Sequence, residues 1–280
     1  MMLGSFRHGI PEYVKGLKES EYSDNTIKKY SLALRNFIEF IENNDHCGVI
    51  CKDCIVEYKE YLKQKYALNT ANLYLVAINK YLKCLGESEL CVKTFKVQSH
   101  NSLENCLTKE EYFSMLETAK NMKNNTIYYV MRALASTGMR VKGLEYITVK
   151  TIQRGSFTAT NKGKTRAIVI PNGVCTEILV YCNDRNISSG YVFPDRSRKK
   201  PVSEVTVLRW LKAVAVKACV DPDKAFPHNL RHLFAKTFME IHSDLGELAD
   251  ILGHTKIETT RIYTRTSLEE KRKNMELLGL

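Results

Sequence analysis

FPHNLRHLFA at 226–235 and LGHTKIETTRIYTR at 252–265 are the two segments on which the reading of this chain turns. In the first, Pro227 stands where a helix begins, a position at which its missing N–H costs no hydrogen bond. Leu230, Phe234 and Phe238 follow at i, i+4 and i+8, which predicts a helix with one apolar face. His228 and Arg231 are three apart at its start and share a face. A helix N-terminus favours an anion beside it, so an Arg and a His placed there can hold a phosphate. Residues 244–252 predict a short helix with Leu245, Leu248, Ile251 and Leu252 turned inward. Gly253 ends it, which pins His254 in a turn. Thr255 and Glu258 make a capping-box pattern, predicting that a further helix starts there and carries Tyr263.

Working outward, Thr108 with Glu111 is another capping box and opens a helix. Residues 125–136 are strongly apolar and helical up to Thr137-Gly138, where glycine can take the left-handed conformation that stops a helix. Arg140 lies just past that end. Residues 157–160 and 167–170 flank a basic turn, Asn161-Lys162-Gly163-Lys164, and read as a β-hairpin closed by Pro171. Val207, Trp210, Leu211 and Val214 mark another core helix. Nearer the N-terminus, Ile27, Tyr30, Leu34, Phe37, Ile38 and Ile41 place a helix over 22–43, capped by Ser23 or Thr26. Residues 55–66 and 69–85 are helical as well, the latter with Leu73, Val76, Ile78, Tyr81 and Leu82 on its apolar face. The polar, weakly periodic stretch from Gly86 to Asn105 reads as a connecting segment. The expected organisation is a helical domain at 1–95, a linker at 96–106 and a second domain at 107–280.

The chain has 280 residues and a net charge of +11. Residues 1–100 hold 14 Lys+Arg against 12 Asp+Glu, whereas residues 101–280 hold 28 against 19. A basic excess concentrated in one region favours a polyanion, usually nucleic acid. No apolar run of about 18 residues or more is present, nor a signal-peptide pattern, so a cytoplasmic protein is expected. The nine cysteines are an odd set with no second pair at zinc spacing, and Cys51-x-x-Cys54 reads as structural. Gly163-Lys164-Thr165 is not a P-loop: the upstream glycine is missing, and the context is a hairpin rather than strand–loop–helix.

Taken singly, a surface Arg is usually solvated and a lone His or Tyr usually structural. Taken together, ALASTGMR at 133–140, NKGKTRAIVIP at 161–171, FPHNLRHLFA and LGHTKIETTRIYTR resemble the tyrosine recombinase, or phage integrase, family. That family has an Arg after Thr-Gly, a Lys on a β-hairpin, a His-x-x-Arg box, and a Leu-Gly-His turn followed nine residues later by a Tyr. The match covers most of 108–265, and the helical N-terminal region resembles the family's core-binding domain. The last two motifs, with Arg231 and His254 23 positions apart, are the most specific.

The resemblance implies a mainly α protein: a helical core-binding domain, then a mostly helical mixed α/β catalytic domain with a small antiparallel sheet. It implies a site-specific recombinase that cuts and rejoins DNA through a 3′-phosphotyrosine, as a tetramer on two DNA sites. A second recombinase or an accessory DNA-bending protein is a possible partner. The architecture is that of Xer-type recombinases and mobile-element integrases, at work on the nucleoid. Tyr263 becomes the nucleophile. Arg140 and Arg231 grip the phosphate oxygens, since guanidinium is always charged and forked. Lys162 protonates the leaving 5′ oxygen, with Lys164 the other hairpin choice. His228 exchanges a proton with Tyr263 or the leaving group, and His254 hydrogen-bonds the phosphate. No cofactor and no metal are called for. One departure is Gly143, where the family usually has an acidic residue; Glu145 is two further on.

Lys28, Lys29, Lys164 and the run Arg196, Arg198, Lys199 and Lys200 are candidate DNA contacts, with a solvated surface as the other reading. Lys59, Lys63 and Lys65 can be read in the same two ways. The tail, with Leu268, Met275, Leu277 and Leu278, either docks on a neighbouring subunit or packs on its own domain. The rivals are a type IB-like topoisomerase, a catalytically silent DNA-binding relative and an unrelated basic helical protein.

Overall fold

The computed structural model describes residues 1–44, 48–97, 105–161, 164–254, 257–264, 272 and 275–277. The chain divides into two compact units, Met1–His100 and Asn101–Leu280. Lys162, Thr255, Leu268 and Leu278 lie outside the described residues. Among the described residues no helix is long and apolar enough to cross a membrane.

The first unit is helical: α1 (Leu3–His8), α2 (Ile10–Glu19), α3 (Asp24–Asn43), α4 (Lys52–Lys65) and α5 (Leu68–Cys84). Ser23 caps α3 by accepting from the Thr26 N–H. Phe6, Phe37, Tyr58 and Tyr81 meet edge to face at the centre of its core. The first 20 residues, part of the expected helical domain but assigned no individual helix, form α1 and α2, whose Phe6, Tyr13 and Leu17 complete that core. Val76 is exposed, contrary to expectation; the buried face of α5 instead runs through Tyr74, Leu75, Ala77, Ile78, Tyr81 and Leu82. The stretch after Gly86 is not loose up to Phe95. Two asparagines of α5 bind its backbone at both N–H and C=O, Asn79 at Val92 and Asn72 at Phe95.

The second unit opens with α6 (Lys109–Lys120), whose Thr108–Glu111 capping box is formed in full. Then come α7 (Thr126–Thr137), a 3₁₀ turn (Val141–Tyr146), α8 (Val149–Arg154), β1 (Ser156–Asn161) and β2 (Lys164–Val169). The strands pair antiparallel from Ser156 opposite Val169 to Asn161 opposite Lys164. This register turns Phe157 and Ile168 inward, with Arg166 half-buried on the same face. The remaining helices are α9 (Asn172–Asp184), α10 (Glu204–Lys217), α11 (Pro227–His242) and α12 (Leu245–Leu252). They surround one core that includes Met115, Val130, Leu134, Ile178, Leu211 and Leu230.

Tyr263 is not on an α-helix as expected. It lies on the second of two 3₁₀ turns, Ile257–Thr259 and Arg261–Thr264. Ala235, Leu248, Leu252 and Tyr263 form a small cluster apart from the main core, which binds the turn to α11 and α12.

Two glycines shape the site. Gly138 (φ 59°) ends α7 and Gly253 (φ 64°) ends α12, both in the left-handed region. A β-carbon on Gly138 would stand 2.4 Å from the Phe234 ring, and one on Gly253 2.8 Å from Cδ of Arg166. The backbone penalty for a non-glycine residue there is about 1–2 kcal/mol before any clash. Gly138→Ala is therefore expected to lower the melting temperature by at least about 2–8 °C, read by calorimetry on the intact chain, at roughly 2–4 °C per kcal/mol for a domain of this size.

Candidate active site

Arg231 is the largest fully buried side chain, at 1% exposure. It is the fifth residue of α11, whose first turn is anchored by Asn229: the Asn229 amide donates to the carbonyls of Asn105 and Lys224. The Arg231 guanidinium donates through Nη1 to the Gly138 carbonyl and through Nη2 to the Leu252 carbonyl, each at 2.7 Å. These carbonyls lie at the C-terminal ends of α7 and α12, where helix dipoles place partial negative charge. They stabilise the cation but do not neutralise it. No ion pair of the described residues involves Arg231, Arg140 or Arg166. Burial, then Arg140 and Arg166, pull the Arg231 pKa below the usual guanidinium range. Its Nε is buried and has no hydrogen-bond partner among the described residues.

Arg231 Nη2 also lies 2.9 Å from His254 Nε2, and His254 Nδ1 lies 2.9 Å from Thr260 Oγ1. Guanidinium can only donate, so neutral His254 accepts at Nε2 and donates from Nδ1 to Thr260. Both ring nitrogens are thus engaged by protein groups. To donate to a phosphate, Nε2 must first take up a proton and release Arg231. Thr260 is fully buried, three residues before Tyr263 on the same pair of turns.

Tyr263 is 7% exposed, and burial pushes its phenol up to about 12. Its hydroxyl lies 2.8 Å from Nδ1 of His232, a different histidine from His228, for which the resemblance left Tyr263 and the leaving group both open. His228 meets His232 edge to face at 4.4 Å. It lines a cavity of about 380 Å³ with Met139, Arg140, Val141, Pro227 and Arg231 among others. Burial, then Arg231 and Arg140, lower the His228 pKa.

Arg140 is exposed at the start of the 3₁₀ turn that contains Gly143. That glycine is buried: a β-carbon there would meet Sδ of Met139 at 3.0 Å, so an acidic side chain at this position requires the Met139 side chain to shift. Glu145 is exposed and forms no ion pair among the described residues. Arg166, a residue sequence reasoning missed, donates from Nη1 to the Ile251 carbonyl at 2.7 Å and covers Gly253. Burial, then Arg140, lower its pKa. A signal for Arg166 was available in strand parity, since it shares a face with Ile168. One for His232 lay in its position four after His228, on the same helix face.

Of the other candidates, Lys164 is the first residue of β2. Lys28 and Lys29 are exposed on α3, and Arg196, Arg198, Lys199 and Lys200 are exposed on a turn folded around Asp195, which accepts from Ser197 and the Lys200 N–H. Lys63 pairs with Glu60, Lys65 lies over Tyr61, and Lys59 over Phe95. Met275 and Leu277 are exposed. Cys51 caps α4 through its sulfur, which lies 2.9 Å from that of Cys54. Among the described residues no group of three His, Cys, Asp or Glu is placed to hold a metal ion.

His232 and His254 are both lowered to about 4, chiefly by burial and then by nearby positive groups. An unfolded His binds its proton near 6.5. Their contribution to stability is therefore complete above about pH 6.5 and is lost as pH falls from there towards 4. Thermal melts from pH 7.5 to 4.5 are expected to fall steadily below pH 6.5; a flat profile would contradict this linkage.

Arg140, His228 and Arg231 line one cavity, and the Tyr263 phenol is linked to it through His232, which touches both His228 and the Tyr263 hydroxyl; this makes a site for transfer of a phosphoryl group to tyrosine. The comparisons agree. Residues 105–270 match the model of the phage integrase family, and residues 12–90 match the phage integrase N-terminal SAM-like domain. Tyrosine recombinase XerA of Pyrococcus furiosus is 29% identical over 97% of this chain and 94% of its own length. The Tn1549 transposon integrase in complex with circular intermediate DNA superposes with a TM-score of 0.72 at 17% identity, over 99% of this chain and 100% of that one. A lambda integrase tetramer bound to a Holliday junction gives 0.73 at 17%, over 96% and 80%. The chain belongs to the phage integrase family. It is an enzyme of the tyrosine recombinase class, whose activity is site-specific DNA recombination.

Proposed function

We propose that this chain cleaves and rejoins duplex DNA by attack of Tyr263 on the scissile phosphate, forming a 3′-phosphotyrosine. The observation that carries this reading is Arg231: a buried cation with, among the described residues, no carboxylate partner and an unpartnered Nε, in one cluster with Arg140 and Arg166, close to the Tyr263 turn. A buried charge without a counter-ion is costly, and a DNA phosphate supplies the missing anion. Arg140, exposed at the cavity, meets the same phosphate from the solvent side. As the Tyr263 oxygen bonds to phosphorus, the guanidiniums stabilise the charge that develops on the non-bridging oxygens. The bond to the 5′ oxygen breaks, and Lys162 delivers the proton that this oxygen takes up, with His228 in support. His254 turns to the phosphate once the anion has raised its basicity.

On this reading residues 1–95 form the core-binding domain and 107–280 the catalytic domain, with duplex DNA as the shared ligand. Lys28, Lys29, Lys164 and the loop from Arg196 to Lys200 contribute phosphate contacts, whose mark is salt-dependent affinity. The lambda integrase tetramer on a Holliday junction supports a tetrameric assembly on DNA here too, and the protein works in the cytoplasm on the nucleoid.

The test uses a nicked duplex from the ends of the genetic element that encodes the chain. Incubation is expected to give a protein–DNA adduct that survives SDS, at equal yield with and without EDTA. Loss of the adduct in EDTA, with recovery on adding magnesium, would overturn the metal-free mechanism.

A further inference from the structure

We propose that His232 accepts the proton of Tyr263 during strand cleavage and returns it on rejoining. The inference rests on the reading above, in which Tyr263 is the nucleophile.

The geometry is direct. His232 Nδ1 and Tyr263 Oη are 2.8 Å apart, within the range in which a base takes a proton without an intervening water. The two residues are 31 positions apart, and three constraints hold them together. Arg231, the residue before His232, bonds to the Leu252 carbonyl and to His254. His254 bonds to Thr260, on the turn that leads to Tyr263. The Tyr263 ring packs with Leu248, Leu252 and Ala235. One face of α11 therefore carries both the cation for the phosphate and the acceptor for the phenol. His228 is one ring further from Tyr263, in edge contact with His232, so it faces the cavity rather than the phenol.

The charge around the pair changes when DNA binds. Without DNA, burial, His228 and Arg231 keep His232 neutral and hold its basicity down. A phenol held near 12 needs an acceptor. When a DNA phosphate enters, its negative charge offsets Arg231 and raises the basicity of His232 at the moment it is needed. In the step itself, the Oη–P bond forms and the P–O5′ bond breaks, with its electron pair leaving on O5′. The phenolic proton passes to Nδ1, while O5′ receives its proton from the acid on the opposite side. Rejoining reverses each transfer.

His232→Ala and His232→Asn are tested in the full-length chain for adduct formation on the same nicked duplex. A second duplex carries sulfur in place of the bridging 5′ oxygen, a leaving group that needs no proton. Asn can hold a hydrogen bond at the position of Nδ1 but is not a base. Both variants are expected to bind DNA as the parent does and to cleave at least ~100-fold more slowly, the usual scale of general base catalysis. The deficit is expected to be equal on the sulfur-containing duplex. Three outcomes overturn the proposal: restored cleavage in His232→Asn, which makes the residue a holder only; rescue by sulfur, which places it on the leaving-group side; or loss of DNA binding in both variants, which makes it structural. Failure of the underlying reading looks different, because Tyr263→Phe would then still form the adduct.

Discussion

Tyr263→Phe is expected to abolish the SDS-stable adduct, a loss of at least ~1,000-fold, while duplex binding stays within about twofold of the parent. No other oxygen nucleophile in the cluster is held as Tyr263 is. Thr260, the nearest hydroxyl along the turn, is fully buried and bonded to His254. The substitution removes one oxygen and keeps the ring that packs against Leu248 and Leu252. What is lost in the fold is one hydrogen bond to a half-buried histidine, about 1 kcal/mol. Melting temperature is thus expected to move by only a few degrees. Phosphate contacts made by the arginines are untouched, so affinity and cleavage separate in this variant. An adduct in Tyr263→Phe would remove Tyr263 from the reaction.

Arg231→Lys is expected to lower cleavage by about 100- to 1,000-fold and to reduce stability as well. Removal of a single preorganised donor to a developing negative charge costs about that much. Lysine keeps the charge but not the fork. Arg231 bonds at once to the Gly138 carbonyl, the Leu252 carbonyl and His254, and still has Nε to offer. A single ammonium on a shorter reach leaves at least one buried helix-end carbonyl without a donor, at about 1–3 kcal/mol. It also leaves the His254 turn, and with it Thr260 and Tyr263, less firmly placed. Adduct kinetics and calorimetry on the same preparation give both numbers. A variant that melts lower yet cleaves like the parent would assign Arg231 to the fold alone.

The pH behaviour of these variants adds a cross-check. Because His232 and His254 are neutral in the folded chain, substitution of either by a non-titrating residue is expected to flatten the fall in melting temperature below pH 6.5.

Much of the framework was legible in the residue order, because local interactions write local signals. The Thr108–Glu111 capping box, the helix from Pro227 with Leu230 on its inner face, and the glycine stops at 138 and 253 all formed as their patterns predict. So did the two paired strands, β1 and β2, of the expected hairpin. Each depends on partners within about five residues, or on alternation along one strand. Where a local pattern competed with packing, packing won. The tyrosine segment forms 3₁₀ turns rather than an α-helix, held by the ring of Tyr263 and the buried Thr260. Val76 turns outward on α5 because the aromatic core already fills the other face.

By itself, the sequence determined that Arg140, His228, Arg231, His254 and Tyr263 are present at the family's spacing, on segments that begin and end where helix caps and glycines require. Only the tertiary structure decided which atoms meet. It joined Arg231 to a carbonyl 93 residues away, brought Arg166 over Gly253, and set Tyr263 against His232 rather than His228. Periodicity fixes the face on which a side chain lies, but not the distant segment that face will meet. That choice is made by the packing of α7, α11 and α12 as whole bodies, and the hydrogen bonds of the site follow from it.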